Sequence, residues 1–294
     1  MDPFGPENEL EVSWFERPSS FRQPILILAL HGLFDAGKAS TNAAVWIREN
    51  TDSTLIGEFD PEEMYNFAEN RPRTGFGSDG QRVIDWPRVK IFGCRAEGPR
   101  DALVIVGIEP QYRWRSLAES IGRIVLLSGT ELVITLGSTL AMTPHTRPAR
   151  VVGSAGDPVL AQRMQLNMPS YEGPTGVIGV INQTLEAASL PVLSLRSEVP
   201  HYVPGAPSPK ATQVLLRRLE QLTGIPTKYT ELDGHVHEWT RQVDEAVQAD
   251  EESRVYLRHL EKRVDQDEER FPSGDDLAAE LEAYLRESGD PGSD

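Results

Sequence analysis

Apolar residues recur in short runs separated by turn residues, and these runs predict the elements of an α/β fold. ILILALH (25–31) is apolar almost without interruption, as expected of a strand that is buried on both faces. A helical stretch follows through Asn50. Further strands are predicted at 54–59, 90–96, 102–108, 131–137, 149–153 and 191–199, and further helices at 115–128, 157–167, 175–189 and 209–223.

The order of these elements predicts the layering of the chain. Strands and helices alternate through most of 25–230, which favours a three-layer α/β/α fold with a mainly parallel sheet. EGPR (97–100) separates two strands as a hairpin turn does, so the sheet is expected to be mixed. We therefore expect a core domain at 25–235, preceded by a polar lead-in at 1–24 and interrupted by a loop-rich stretch at 60–88.

The last part of the chain, 236–294, is predicted to be an acidic helical arm. Between about 237 and 270 the apolar spacing is helical only, with two narrow stripes: Trp239, Val243 and Val247, then Leu257, Leu260 and Val264. One long helix or two shorter ones fit this pattern, packed on the body or on a neighbouring subunit. FPSGDD (271–276) predicts a break, followed by a short helix to Arg286 and a disordered end.

Charge and composition exclude several classes of function. The net charge is −16, and residues 231–294 hold 20 acidic and 7 basic residues, which leaves the body near neutral. This tail would repel phosphate backbones, so nucleic acid is not an expected partner. No apolar run approaches the length of a membrane span and no secretory leader is recognised, so we expect a cytoplasmic protein. The single cysteine, Cys94, excludes an internal disulfide and is expected to be buried and inert.

The stretch from Gly32 to Ser40 meets the spacing G-x-x-x-x-G-K of a phosphate-binding loop after a buried strand. However, the next position requires a magnesium-binding hydroxyl and holds Ala39 instead. Asp35 also places a negative charge where phosphates would bind. The sequence therefore favours a tight strand-to-helix turn with Asp35 near the start of the helix.

Polar side chains follow several of the predicted strands, where open α/β sheets usually bind ligands. The candidate ligand-binding residues are Asp35, Glu109, Arg113, His145, Thr146, Arg147 and His201. If they converge, the arginines can hold an anion and Glu109 or His145 can act as acid or base. Structural roles explain each loop equally well: a proline-braced turn around His145, or a helix start at Arg113. No nucleophile elbow, metal-ligand set or dinucleotide fingerprint occurs, so no catalytic residue, metal or cofactor is predicted.

The order of five motifs is more specific than any one of them. Gly32 with Asp35-Ala-Gly37, Arg71-Pro72, Glu109-Pro-x-Tyr-Arg-Trp114, Pro144-His-Thr-Arg-Pro148 and Val199-Pro-His-Tyr202 occur in this order. Together they resemble the second type of proteasome assembly chaperone, and within it the bacterial branch, over roughly residues 25–225. The resemblance implies a fold similar to nucleoside phosphorylases and a non-enzymatic chaperone. It also implies a homo-oligomer, a trimer by analogy with bacterial relatives.

Two functions follow as hypotheses. The first is a non-enzymatic, assembly-chaperone-like or scaffold protein that self-associates and binds protein partners. The eukaryotic docking motif, hydrophobic-Tyr-x, is absent from the final residues Gly292-Ser-Asp294, so docking through that motif is not expected. The alternative is a binding protein, or a hydrolase- or phosphorylase-like enzyme, for a small anionic or nucleoside-like ligand in a strand-end cleft.

Overall fold

The computed structural model describes residues 3–4 and 10–269 of the 294-residue chain. Within them the strands are β1 Val12–Trp14, β2 Ile25–His31, β3 Asp52–Phe59, β4 Arg73–Phe76, β5 Arg82–Asp85, β6 Val89–Arg95, β7 Ala102–Ile108, β8 Leu132–Ala141, β9 Val151–Ser154 and β10 Val192–Pro200. The α-helices are α1 Ala39–Glu49, α2 Trp114–Ser128, α3 Pro158–Met164, α4 Val177–Ala187, α5 Pro209–Thr223, α6 Asp233–Gln248 and α7 Glu251–Glu269. Among the described residues, every helix is too short or too polar to cross a membrane.

Eight strands form one mixed sheet in the order β1-β3-β6-β7-β2-β8-β10-β9. The pairings β7-β2, β2-β8 and β8-β10 are parallel, and the pairings outside them are antiparallel. The mixed α/β sheet is thus confirmed, as is the hairpin through EGPR that joins β6 to β7. A smaller share of the strand pairings is parallel than the alternation of strands and helices predicts. The reason is that antiparallel hairpin and edge strands extend the sheet on both sides. The loop-rich stretch contributes β4 and β5, which pair only with each other.

The central strand β2 explains the layering, because its two faces enter different hydrophobic clusters. Leu26 and Leu28 pack with residues of α2 and α4, whereas Ile25 and Ile27 pack with residues of α1 and α5. All four side chains are at most 1% exposed. Alternation along a strand places successive side chains on opposite faces, so an uninterrupted apolar run requires a helical layer on each side.

Local signals agree with the predicted start of α3 and the predicted end of α5, whereas α3 ends at Met164, before the predicted 167. Asp157 caps α3 through the backbone N–H groups of Val159 and Leu160, with Pro158 at the first helical position. Helix α5 ends at Gly224, whose left-handed backbone (φ 71°) suits glycine. These short-range signals are readable from sequence because each involves neighbouring residues only.

The predicted polar lead-in contains structure that its weak periodicity does not indicate. Val12–Trp14 forms an edge strand antiparallel to β3, and Leu10 and Phe21 are buried in the cluster beneath α2. The ring of Phe21 lies against Gly93 of β6, where a Cβ would come within 1.9 Å of it. A three-residue strand gives too few alternating positions to be recognised, so this element emerges only from tertiary contacts.

The arm consists of two helices, α6 and α7, and both predicted stripes are buried. Trp239, Val243, Val247 and Leu257 form one small cluster with Tyr202 and Val203 of the body. The arm therefore packs on its own chain. The predicted break at 271–276, the last helix to Arg286 and the disordered end lie outside the described residues.

Replacing Phe21 by alanine tests whether residues 10–24 belong to the folded domain. The loss of a buried ring is expected to lower the free energy of unfolding by about 3–5 kcal/mol, measured by chemical denaturation. Phe15→Ala is the matched control, because that ring is 61% exposed and its loss is expected to change stability by about 0.5 kcal/mol or less. Equal effects of the two substitutions would contradict this packing.

Candidate functional site

The polar loops predicted to bind a ligand all lie along one edge of the sheet. Strands β7, β2, β8 and β10 are parallel neighbours, so their carboxyl ends meet at that edge. We call the loops that follow them, 32–38, 109–113, 142–150 and 201–208, the carboxyl-end rim. A backbone bridge from Asp35 to Ser138 joins the first of these loops to β8.

Asp35 is buried at the start of α1 and is fully engaged by its own loop. Its Oδ1 accepts the N–H of Ser40 (3.0 Å), the N–H of Thr41 (3.1 Å) and the hydroxyl of Ser40 (2.6 Å). Its Oδ2 accepts the Thr41 hydroxyl (2.6 Å) and lies 2.8 Å from Nδ1 of His31. The carboxylate thus takes the place that a phosphate has in a phosphate-binding loop, and the predicted tight turn is confirmed.

Glu109 connects two neighbouring loops. Its Oε2 accepts the N–H of Leu33 (2.8 Å), and its Oε1 accepts the N–H of Val177 (3.1 Å) at the start of α4. A Cβ at Gly32 would lie 2.1 Å from Oε2, so only glycine leaves room for this carboxylate. Glu109 therefore satisfies backbone donors in the folded chain, the structural role of a helix cap.

Arg113 precedes α2 in the left-handed backbone region (φ 60°). Its Nε donates to the Ser116 hydroxyl (3.1 Å), and its guanidinium pairs with Glu63. These contacts fit the structural interpretation of the Arg113 motif, in which it forms the start of a helix. Trp114 donates from its indole to the carbonyl of Pro110 (2.6 Å) and packs against the core.

His145 lies at the centre of the contact between the rim and the arm and is 1% exposed. Its Nδ1 is 2.7 Å from the Tyr202 hydroxyl, and its Nε2 is 2.9 Å from Oδ1 of Asp244 in α6. The same hydroxyl accepts the His145 N–H (2.8 Å), and Lys210 binds the His145 carbonyl. Burial raises the pKa of Tyr202 to about 12, so its hydroxyl keeps its proton at neutral pH; burial also lowers the pKa of Lys210.

Thr146 and Arg147 continue this contact to α7. Nε and Nη2 of Arg147 donate to the two carboxylate oxygens of Asp265 at 2.7 and 2.8 Å, a bidentate pair. A third nitrogen donates to Glu261 (3.3 Å), which also accepts the Thr146 hydroxyl (2.5 Å). These hydrogen bonds from Arg147 lower the pKa of Asp265.

His201 binds the arm with an aromatic partner. Its Nδ1 lies 3.1 Å from the carbonyl oxygen of Ala141, and its Nε2 lies 3.1 Å from the hydroxyl of Tyr256 in α7. The structure therefore brings His145, Thr146, Arg147 and His201 together under the arm. Asp35 and Glu109 lie in the neighbouring loops, and Arg113 pairs separately with Glu63. Ligand binding by any of these residues stays a prediction.

Comparison with known proteins identifies the family of this fold and rim. The model of the PAC2 family matches residues 29–247. The chain belongs to the PAC2 family. The match reaches the end of α6, so the family shares the first helix of the arm. The shared region therefore extends further toward the C-terminus than the resemblance over 25–225 indicates.

Solved structures show the same fold. A PAC2 family protein of Streptomyces avermitilis is 36% identical, with a TM-score of 0.74, over 79% of this chain and 99% of that one. A proteasome-assembly chaperone homologue of Mycobacterium tuberculosis is 33% identical, with a TM-score of 0.72, over the same shares. An archaeal proteasome activator of Pyrococcus furiosus shares the fold at 17% identity, with a TM-score of 0.64 over 81% of this chain and 99% of that one. No curated protein matches this chain.

The residues of this PAC2 family protein that sequence reasoning missed are the arm's contributions to the rim. They are Asp244, Tyr256, Glu261 and Asp265, together with Tyr202 and Lys210 of the body. A signal for them exists in the acidic charge of the arm and in the spacing of Glu261 and Asp265, which lie one helical turn apart. Their partners are 55–118 residues away, which sequence spacing does not indicate.

Cysteine chemistry and metal binding are the two remaining kinds of candidate chemistry. Cys94 of β6 is fully buried, and burial raises the pKa of its thiol to about 11, which disfavours the reactive thiolate. Among the described residues, no three His, Cys, Asp or Glu side chains are grouped to hold a metal ion.

Replacing Asp35 by alanine tests its role as the buried cap of α1. The substitution leaves the N–H groups of Ser40 and Thr41 without their acceptor and is expected to lower the free energy of unfolding by about 2–4 kcal/mol. Asp157→Ala, at the exposed cap of α3, is the control, with an expected loss of about 1 kcal/mol. Urea denaturation of both variants measures the difference, and a loss at Asp35 no larger than at Asp157 would refute this role.

Replacing Arg147 by glutamine tests the docking of the arm. Loss of the bidentate pair with Asp265 is expected to speed amide hydrogen exchange in α7 by on the order of tenfold at pH 7 and low salt. Arg258→Gln is the control, because Arg258 is an exposed arginine of α7 with no ion pair or hydrogen bond among the described residues.

The same pair gives the arm a dependence on pH. Because Arg147 lowers the pKa of Asp265 in the folded chain, the pair stabilises the fold fully above the ordinary aspartate pKa of about 4. This stabilisation is lost as the pH falls through the lowered pKa. The difference in Tm between wild type and Arg147→Gln should therefore shrink below about pH 4. A difference that grows in acid would contradict a stabilising role for the ionised pair.

Proposed function

We propose that this PAC2 family protein is an assembly-chaperone-like protein that works by binding protein partners, with proteasome subunits as the first candidates. The support is its similarity to a mycobacterial proteasome-assembly chaperone homologue and, at the level of fold, to an archaeal proteasome activator. We include self-association in the proposal, with a trimer as the expected form. No enzymatic step is proposed.

The observation that carries the proposal is the chemistry of the carboxyl-end rim. Four of its charged groups are engaged within the chain: Asp35 and Glu109 by backbone donors, Arg113 and Arg147 by carboxylates. Four large apolar or aromatic side chains remain exposed at the same edge, at 50–71% exposure, beside the exposed Lys38 and Arg150: Leu33, Tyr112, Leu140 and Met142. Exposed apolar side chains gathered at one edge are typical of surfaces that contact proteins.

The alternative, a small anionic ligand held at the rim by Arg113 and Arg147, has less support. Each guanidinium already has a carboxylate partner, so an anion would have to displace Glu63 or the arm. Displacing a bidentate partner within the same chain requires a ligand to compete with a group at high effective concentration.

A substitution at the exposed rim tests the proposed function. The double variant Leu33→Asp with Tyr112→Asp places charges on side chains that the fold does not bury, so its stability should change little. We expect co-purification with co-expressed proteasome subunits to fall by at least about tenfold.

The matched control is Val159→Asp, since Val159 is 74% exposed in α3, at the opposite edge of the sheet. The control should bind as well as wild type. Failure of the wild-type protein to co-purify with the subunits would contradict the proposed partner. Light scattering during size-exclusion chromatography gives the mass in the same experiment, and a monomer at every concentration would contradict the oligomer.

A further inference from the structure

A pocket of about 610 Å³ lies away from the arm, between α4 and the sheet formed by β8, β10 and β9. Its volume falls in the range of small-molecule sites, about 300–1,000 Å³. None of the seven residues predicted from sequence lines it. Phe34, from the loop that carries Asp35, lines one side, and Tyr171 of the exposed segment after α3 lines another.

The floor of this pocket breaks the pattern of the buried sheet face. Val192 of β10 packs into the core beneath α4, and the next two positions on the same face of the strand are Ser194 and Arg196. In the register of the sheet, Ser194 pairs with Ser154 of β9, and Arg196 pairs with Gly137 of β8. Polar and small residues thus replace apolar ones where a helix would otherwise pack on the sheet.

Gly137 makes room for the arginine. A Cβ at position 137 would lie 3.1 Å from Cγ of Arg196, so the stem of Arg196 lies across the glycine. Arg196 is half-buried as a residue, and its guanidinium has no hydrogen bond or ion pair with any residue that the structure describes. The other arginines discussed for the rim, Arg113 and Arg147, have carboxylate partners. Arg196 is therefore a cation prepared for an anion from outside the described chain.

The roof of the pocket is formed by α4 and also carries polar side chains, among them Asn182 and Glu186. Oε1 of Glu186 accepts the N–H of Gly156 (3.1 Å). Oδ1 of Asn182 is inaccessible to solvent, so a ligand in the pocket does not reach this oxygen. Arg196 is the cationic side chain of the lining.

We propose that this pocket binds a small molecule that carries an oxyanion, either a carboxylate or a phosphate. Arg196 binds the oxyanion, and Phe34 and Tyr171 flank the rest of the ligand. The pocket shares loop 32–38 with the carboxyl-end rim through Phe34, but Arg196 lies outside the rim and outside its exposed apolar side chains.

Isothermal titration calorimetry on the full-length protein tests this site with two probes. Adenosine 5′-monophosphate presents a phosphate, and L-phenylalanine presents a carboxylate with an ammonium group. Adenosine and L-phenylalaninamide are the matched probes without the oxyanion. We expect saturable binding of at least one oxyanion probe and at least about tenfold weaker binding of its matched probe. Which of the two binds distinguishes a phosphate ligand from a carboxylate ligand.

Two variants locate the binding. Arg196→Gln, which keeps the length of the side chain and removes the charge, should weaken binding at least about tenfold. Asn182→Asp, which adds a negative charge to the lining of the pocket, should weaken binding of an anion as well and serves as the second test if Arg196→Gln folds poorly. Arg217→Gln is the control, because Arg217 is exposed on α5 in the opposite layer; it should bind as wild type. No saturable binding of either probe at about 5 mM, or equal binding by wild type and both pocket variants, would overturn the proposal.

Discussion

The guanidinium of Arg147 lies where the loop after β8 meets the two helices of the arm, and the contacts around it hold these elements together. Asp265 binds it on two nitrogens and Glu261 on a third, while the neighbouring His145 contacts Asp244 of α6. Half-buried charges of this kind need partners, because their hydration is partly lost. The acidic arm supplies those partners within one chain, so its acidic charge has a structural use.

This arrangement accounts for the limits of sequence reasoning at the site. Asp35 next to the start of α1 was readable, because its partners Ser40 and Thr41 are its neighbours in the chain. The convergence of four strand-end loops was also readable, because parallel strands share an edge. The partners of His145 and Arg147 were not, because a loop histidine or arginine gives no indication of which distant carboxylate will reach it.

The fold shows the same division between local and distant information. The apolar run of β2, the caps of α3 and α5 and the buried stripes of the arm are patterns within one element, and they were predicted from sequence. The edge strand β1 and the pocket floor at Arg196 depend on which strands become neighbours. Arg196 in particular has the alternation of an ordinary strand, and only the tertiary structure shows that it lies opposite Gly137 in the pocket beneath α4.

The deep burial of Cys94 has a practical consequence for spectroscopy. The native chain has one thiol, and that thiol is both inaccessible and protonated at neutral pH. A cysteine introduced on the surface of α7 would therefore react alone with a maleimide dye or spin label. Paired with a second introduced site on the body, it would allow distances to be recorded in an otherwise unaltered background, without first removing a native residue.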